Sequence, residues 1–312
     1  MVQPSIGVVV VTHRARRLLD GCLQPLLASP LRPQILVVNS SSHDGTVEKA
    51  WDLGAETWTI PRESFDHGRT RELARQRLGT AITVMLTPDA HATGSDFLER
   101  LTAPLRDGRA AVAYGRQLPR PGADRIEAFN RSFNYPAQSQ LRSLADWPTF
   151  GAYTHFCSNS CAAWSSSALD EIGGFPPTLV SEETIAAARL LERGHRIAYV
   201  AEATVHHSHS SGLVADFRRQ FDVGHARRPY RHLLLGRERD EARGLAYTKG
   251  LLATLAREAP GLLPYALLHT AGRYAGYRLG LGGARLPRRL KALMSGQDFY
   301  WRRPAGTLAG AG

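Results

Sequence analysis

Asp89 ends an apolar run, Ala81-Ile82-Thr83-Val84-Met85-Leu86-Thr87-Pro88-Asp89-Ala90. A carboxylate at the carboxyl edge of a parallel strand lies where open α/β sheets bind their ligands. Pro88 has no N–H, so it ends the ladder and turns the chain toward solvent. A hard anionic oxygen there suits Mg²⁺ or Mn²⁺ held against the phosphates of a bound nucleotide. A second set of donors, His206-His207-Ser208-His209, ends another expected strand. His207 and His209 share a face by the period of two, and alternate imidazoles can ligate a metal. No Cys or His partner lies nearby at zinc spacing. The fitting site is instead mixed: Asp89, His207 or His209, and two phosphates. The plain alternatives are a Pro-Asp turn and a half-exposed histidine pair.

Three further clusters carry charge or hydroxyls at helix starts. Asn39-Ser40-Ser41-Ser42-His43-Asp44-Gly45-Thr46 joins a strand end to a helix, where backbone N–H groups favour phosphate oxygens. An ordinary capped turn with Asp44 near the N-cap explains the same residues. In Phe65-Asp66-His67-Gly68-Arg69-Thr70-Arg71 the cations oppose the helix dipole, a conflict that a bound anion would relieve. Arg71, a fixed fork of donors, suits a diphosphate, with a salt bridge to Glu72 or Glu63 as the alternative. Ser181-Glu182-Glu183 begins a helix beside the loop Gly173-Gly174-Phe175-Pro176-Pro177. Acidic residues in a first turn stabilise a helix, and a carboxylate held there can also act as a general base toward a hydroxyl.

The elements that position these groups alternate. Strands are expected at Ile6–Val11, Ile35–Val38, Thr57–Ile60, Ala81–Leu86 and Ala110–Tyr114. Helices are expected between them at Ala15–Ala28, from Asp44 through Trp51, and at Arg69–Leu78 and Ser95–Leu105. Such alternation implies a doubly wound, mostly parallel α/β sheet. Residues 117–150 read as irregular chain, a length that is usually functional. A run at Phe156–Trp164, helices up to Gly173 and over Ser181–Arg193, and a strand pair at Ile197–Val200 and Thr204–His207 follow. From Leu213 the pattern is helical, broken at Pro260, Pro264 and Pro287. The expected organisation is therefore a body at 1–212, divided near 116, and a helical extension at 213–312.

The chain has 312 residues, 43% hydrophobic and 21% charged, enough for a substantial core. Residues 1–212 hold 21 basic and 21 acidic side chains, whereas 213–312 hold 18 against 7, the whole formal excess of +11. That asymmetry points to an anionic partner, either nucleic acid or an anionic lipid surface. The basic section lacks an aromatic-interleaved RNA motif and a recognition helix, which argues against nucleic acid. Arg257, Glu258, Arg273 and Arg278 interrupt residues 250–281, so an amphipathic interfacial helix is favoured over a spanning one. No signal peptide is evident. Cys22, Cys157 and Cys161 do not make a disulfide framework and read as small buried hydrophobes, consistent with a reducing cytoplasm. Thr12-His13-Arg14 stands where a dinucleotide fold would place Gly-x-Gly, which argues against NAD.

Taken in order, these segments resemble the family 2 glycosyltransferases, in particular the bacterial rhamnosyltransferase-like branch. The resemblance rests on Val9-Val10-Val11-Thr12, on Ile35 through Thr46, and on Phe65-Asp66-His67-Gly68. It continues through Thr87-Pro88-Asp89-Ala90, Tyr114-Gly115-Arg116-Gln117, Ser158-Asn159-Ser160, Gly173-Gly174-Phe175, Glu182-Glu183 and His207-Ser208-His209. It implies a GT-A-like fold, with a donor-binding part at about 1–116 and an acceptor-binding part at about 117–212. It implies a donor site of Thr12, Asn39, Asp44, His67, Arg71 and Asp89, with Thr12 and Asn39 on the base and ribose and Arg71 on the diphosphate. Asp89 would bind Mg²⁺ or Mn²⁺, aided by His207 or His209. Glu183 would be the base, with Glu182 beside it. The implied reaction is inverting transfer of a sugar, such as L-rhamnose from dTDP-rhamnose, to a glycan or polyprenyl-linked acceptor in surface polysaccharide synthesis. A cytoplasmic protein peripheral to the inner face of the cell membrane would fit that role. Asn39 and Glu183 stand where the family commonly has Asp, and Pro88 where Gln is commoner. These departures leave a degenerate nucleotide-sugar-binding protein as the alternative, with a nucleic-acid-binding protein behind it.

Overall fold

The computed structural model describes residues 4–207, 212–234 and 241–302. Among them, nine strands form one sheet: β1 Ile6–Thr12, β2 Gln34–Asn39, β3 Glu56–Thr59, β4 Ile82–Leu86, β5 His91–Ala92, β6 Val112–Leu118, β7 Gln140–Arg142, β8 Cys161–Ser165 and β9 Ile197–His206. Their order is β3-β2-β1-β4-β8-β6-β9-β5, with β7 also on β9. The first four neighbours are parallel, as continuous apolar runs with helical crossovers require. Val8 and Val10 face one core layer with Leu23, Leu26 and Leu101, while Val9 faces the other with Met85, Trp164 and Leu190. Burial on both faces explains why β1 has no polar alternation.

The second half departs from a simple winding. β8 runs antiparallel to both β4 and β6, so the sheet is mixed. The expected strand pair after Gly194 is one strand, β9, whose register against β6 jumps from Gly115↔Val200 to Arg116↔Thr204. Gly115 permits that bulge: a Cβ there would lie 2.5 Å from the Ala203 carbonyl oxygen and 2.6 Å from Cys161 Sγ. Residues 117–150, expected to be irregular, contain the helix Arg125–Asn134 and β7.

The helices from 213 onward pack on the body. Leu213–Arg227 and Leu263–Gly282 meet backbone to backbone. A Cβ at Gly224, Gly276 or Gly280 would fall within 2.4 Å of a carbonyl oxygen of the facing helix. Glu241–Glu258 lays Leu251 and Leu255 against Ile126. Phe299 reaches back to Phe65, with the Arg62 guanidinium 4.1 Å above its ring. No helix among the described residues is long and apolar enough to cross a membrane. All three cysteines are buried free thiols.

Candidate active site

The loop after β2 holds itself together. Thr12 Oγ1 donates to the Val38 carbonyl at 3.0 Å, and Asn39 Nδ2 donates to the Ser42 carbonyl at 3.3 Å. Asn39 Oδ1 lies 2.8 Å from Ser42 Oγ. An amide can both donate and accept in this way, whereas a carboxylate only accepts. Asp44, expected at the donor, spends both oxygens on the turn. Oδ1 accepts from Thr46 Oγ1 at 2.6 Å, and Oδ2 from the Arg16 N–H at 3.2 Å. Burial pushes its carboxyl up, but the bonds from Thr46, Ser42 and Arg16 outweigh this and bring it to about 2. Asp44 is thus a turn residue, and Gly45 rather than Asp44 stands at the N-cap of the helix Thr46–Asp52, with no side-chain cap.

The basic helix start is also explained from within. Asp66 caps the helix His67–Leu78, its Oδ1 accepting from the Arg69 N–H at 2.8 Å and the Thr178 N–H at 3.0 Å. Arg71, expected on a diphosphate, is only 4% exposed. Its Nη1 lies 2.7 Å from Glu182 Oε1 and 2.8 Å from His67 Nδ1. The anion that relieves the dipole conflict is the protein's own Glu182, rather than Glu72 or Glu63. An arginine only donates, so His67 Nδ1 accepts and its proton sits on Nε2. Burial and the Arg71 charge push His67 down to about 4, so it is neutral near pH 7. Gly68 is required here, because a Cβ would lie 1.8 Å from the Pro176 carbonyl oxygen.

Glu182 and Glu183 open the helix Glu182–Glu192 after Ser181, a non-glycine residue at φ +70°. Such a left-handed residue is a local cost that the surroundings must hold in place. Arg227 helps, its Nε lying 3.4 Å from Ser181 Oγ and its Nη2 3.4 Å from Thr184 Oγ1. Burial alone would raise Glu182, but the Arg71 charge and the Asn159 amide at 3.0 Å hold it lowered. Glu183 has the opposite fate: burial and the neighbouring Glu182 charge push it up to about 8. Adjacent carboxylates driven apart in this way divide into an ion-pair partner and a base near neutrality.

Asp89 meets His207 because of sheet register. β5 pairs with the end of β9 through His91↔His206, and the His207 N–H donates to the Leu118 carbonyl at 3.0 Å. His207 Nε2 then lies 3.4 Å from Asp89 Oδ2, with both side chains largely buried. Arg120 Nη2 fixes the turn by donating to the Asp89 carbonyl at 2.5 Å. His209 lies outside the described residues. Among the described residues no group of three or more His, Cys, Asp and Glu side chains gathers as a metal cage. Asp89 and His207 nevertheless fit a hard divalent cation. Burial holds His207 below its ordinary value against the pull of the Asp89 carboxylate, and the two side chains set an imidazole nitrogen beside a carboxylate oxygen. Such a two-donor site needs further oxygens from a ligand.

Several residues that join these parts carry no signal as isolated letters. Gln117 Oε1 is 2.8 Å from His207 Nδ1 and 2.6 Å from Arg131 Nη1, and Gln117 Nε2 donates to Ser158 Oγ at 3.0 Å. The next residue, Asn159, donates to Glu182 and accepts from Trp164 Nε1 at 2.8 Å. A continuous path thus runs from Asp89 and His207 through Gln117, Ser158 and Asn159 to Glu182, Arg71 and His67. Gln117, Ser158 and Asn159 lie in recognisable motifs, but their roles depend on pairing across the sheet. Arg131 sits in the helix read as irregular chain.

A GT-A-like sheet with the Asp89–His207 pair at its edge and a raised carboxylate at a helix start has the layout of a nucleotide-sugar glycosyltransferase. The family described as "Glycosyltransferase like family 2" matches residues 4–222, and the chain belongs to it. It is 34% identical over 303 residues to the O-antigen chain rhamnosyltransferase RfbN of Salmonella typhimurium, covering 95% of this chain and 96% of that one. It is also 34% identical over 272 residues to the O-antigen chain rhamnosyltransferase WbaN of Salmonella anatum, covering 86% of each. Among solved structures, the mannosyltransferase PcManGT of Pyrobaculum calidifontis, in complex with GDP-Man and Mn²⁺, superposes with a TM-score of 0.61. The sequence identity is 16%, over 91% of this chain and 89% of that one. S. aureus TarS 1–349 superposes with a TM-score of 0.54 at 14% identity, over 95% and 89%. These two likenesses concern the fold.

Proposed function

We propose that this chain is an inverting, divalent-metal-dependent rhamnosyltransferase that extends a surface polysaccharide on a lipid-linked acceptor. The observation that carries the reading is the path linking the Asp89–His207 pair to the Glu182–Glu183 helix start. It ties the Asp89–His207 pair and the helix start that carries the base into one frame of hydrogen bonds, one close charged pair and the Ser158–Asn159 peptide. The rhamnosyltransferase names of two relatives, matched over most of their length, support the sugar.

Asp89 and His207 would hold the cation, which when bound supplies positive charge to the departing nucleoside diphosphate. Glu183 takes the proton from the acceptor hydroxyl as that oxygen attacks the anomeric carbon. Glu182 keeps Arg71 neutralised and the helix start in place, while the backbone around Thr12 and Asn39 lies at the strand edge where the nucleoside would rest. In this reading residues 1–116 serve the donor and 117–212 the acceptor. The helices from 213 brace the base through Arg227.

The outer side of Leu263–Gly282 exposes Leu267, Leu268, Tyr274 and Leu279 beside Arg278. That mixture suits the surface of an anionic bilayer at the inner face of the cell membrane. Turnover of a panel containing dTDP-rhamnose and UDP-, GDP- and dTDP-hexoses, with Mn²⁺ or Mg²⁺, tests the assignment. Activity with dTDP-rhamnose, lost with chelator and in Asp89→Ala, is expected. Neither binding nor turnover with any donor would overturn it. Tight metal-dependent donor binding without turnover would favour a degenerate binding protein.

A further inference from the structure

We infer that Gln117 is a positioning residue for His207, fixing the imidazole tautomer that turns the Nε2 lone pair toward Asp89. The inference rests on the reading of Asp89 and His207 as cation ligands. Gln117 lies near the end of β6 and is 1% exposed, and its amide is held by three protein groups. The orientation of that amide is decided by Arg131, whose Nη1 lies 2.6 Å away. A guanidinium has no acceptor, so the atom facing it is the amide oxygen. The amide nitrogen then points to Ser158 Oγ at 3.0 Å and donates to it.

The same oxygen lies 2.8 Å from His207 Nδ1. An acceptor there requires Nδ1 to carry the proton, which leaves Nε2 of the neutral ring as the lone pair. Nε2 faces Asp89 Oδ2 at 3.4 Å, longer than an ordinary N–H···O bond. Two acceptors brought together in this way favour a cation between them. The reversed tautomer would place a lone pair against the Gln117 oxygen, and turning the amide to accommodate it would place N–H groups against Arg131. Arg131 therefore enforces the tautomer through one intervening side chain.

Carbonyl partners that accept the second ring N–H of a metal-bound histidine fix its orientation and raise its basicity, and losing them typically weakens metal binding about 10–100-fold. Arg131 comes from the helix Arg125–Asn134, which packs on Glu241–Glu258 through Phe129 and Tyr247, 5.4 Å between ring centres. The acceptor-side helix is thereby tied to the cation-binding edge by two hydrogen bonds.

The test compares the full chain with Gln117→Leu, Gln117→Glu and Arg131→Met, titrating Mn²⁺ by electron paramagnetic resonance with dTDP present. The tautomer of His207 is read by ¹⁵N NMR in the metal-free protein, and melting curves monitor folding. Gln117→Leu is expected to weaken Mn²⁺ binding about 10–100-fold and to shift His207 toward the Nε2–H form. Gln117→Glu keeps an oxygen for both Arg131 and His207 and is expected to hold the Nδ1–H form and at least wild-type affinity. Arg131→Met, which spares Gln117 itself, is expected to give a smaller loss in the same direction.

If Gln117→Leu or Arg131→Met folds with unchanged affinity and an unchanged tautomer, while Asp89→Ala no longer binds Mn²⁺, the inference fails and the cation site stands. If wild type and Asp89→Ala bind Mn²⁺ equally poorly with dTDP, the cation site itself fails and the inference falls with it.

Discussion

Glu183→Gln and Glu182→Gln change neighbouring, similar side chains, yet they are expected to move stability in opposite directions. In the unfolded chain the Glu183 carboxyl ionises near its ordinary 4.5, and in the folded protein near about 8. Between those values the unfolded state has released a proton that the folded state keeps, so stability falls as pH rises through that window. It is level below 4.5 and again above about 8. Each pH step of that window corresponds to about 1.4 kcal/mol. Glu183 is half-buried, and solvent screening reduces the realised effect to roughly 2 kcal/mol. Glutamine removes this penalty, so Glu183→Gln is expected to melt several degrees above wild type at pH 8.5 and close to it at pH 4.5. The conversion is roughly 2–4 °C per kcal/mol for a chain somewhat smaller than this one. Turnover in the same variant is expected to fall about 10²–10⁴-fold, the usual contribution of a general base. Glu182→Gln instead strands the buried Arg71 and is expected to cost about 3–5 kcal/mol at pH 7. The lowered Glu182 contributes stability above its ordinary 4.5 that disappears as pH falls through its folded value. Thermal melts at several pH values, paired with initial rates, decide the matter. If Glu183→Gln turns over normally, or if its melting temperature tracks wild type at every pH, the assignment of Glu183 as a raised base is wrong.

Two further outcomes follow from the same geometry. Arg71→Met leaves Glu182 buried without its guanidinium and is expected to lose about 3–5 kcal/mol in denaturant unfolding while the KM for donor stays near wild type; a large rise in KM with little loss of stability would return Arg71 to the diphosphate. Leu267→Glu with Leu268→Glu alters exposed positions, so stability is expected to stay within about 1 kcal/mol, while binding to vesicles rich in anionic lipid drops about tenfold or more per leucine. Vesicle flotation measures this loss, and unchanged flotation of the double variant would remove that helix from the membrane contact.

Where chemistry depends on neighbours in sequence, the letters were readable. Val8–Val11, Ile35–Val38 and Ile82–Leu86 are apolar runs bounded by turn residues, and each became a strand near its expected bounds. Asp89 and His207 stand at strand ends, where period and turn chemistry expose them to notice. What could not be read was pairing at a distance. The antiparallel placement of β8 depends on distant partners on both sides, since Leu86 pairs with Cys161 and Tyr114 with Ala162. Arg71 looked like a phosphate ligand because its counter-ion, Glu182, lies 111 residues further along. The helix Arg125–Asn134 has its apolar side in Ile126, Phe129 and Phe133, but so many Arg and Asn residues surround them that the period is obscured. The role of Gln117 required the register of β6 against β9.

Single displacement with Glu183 as its base predicts a stereochemical outcome that a double displacement through a glycosyl-enzyme would not give. Proton NMR of the product, taken early in the reaction of dTDP-rhamnose with a hydroxyl acceptor and Mn²⁺, reports the anomeric configuration of the new bond. The account predicts inversion relative to the donor, with transfer lost in Asp89→Ala and Glu183→Gln. Retention of configuration, or full transfer by either variant, would contradict it.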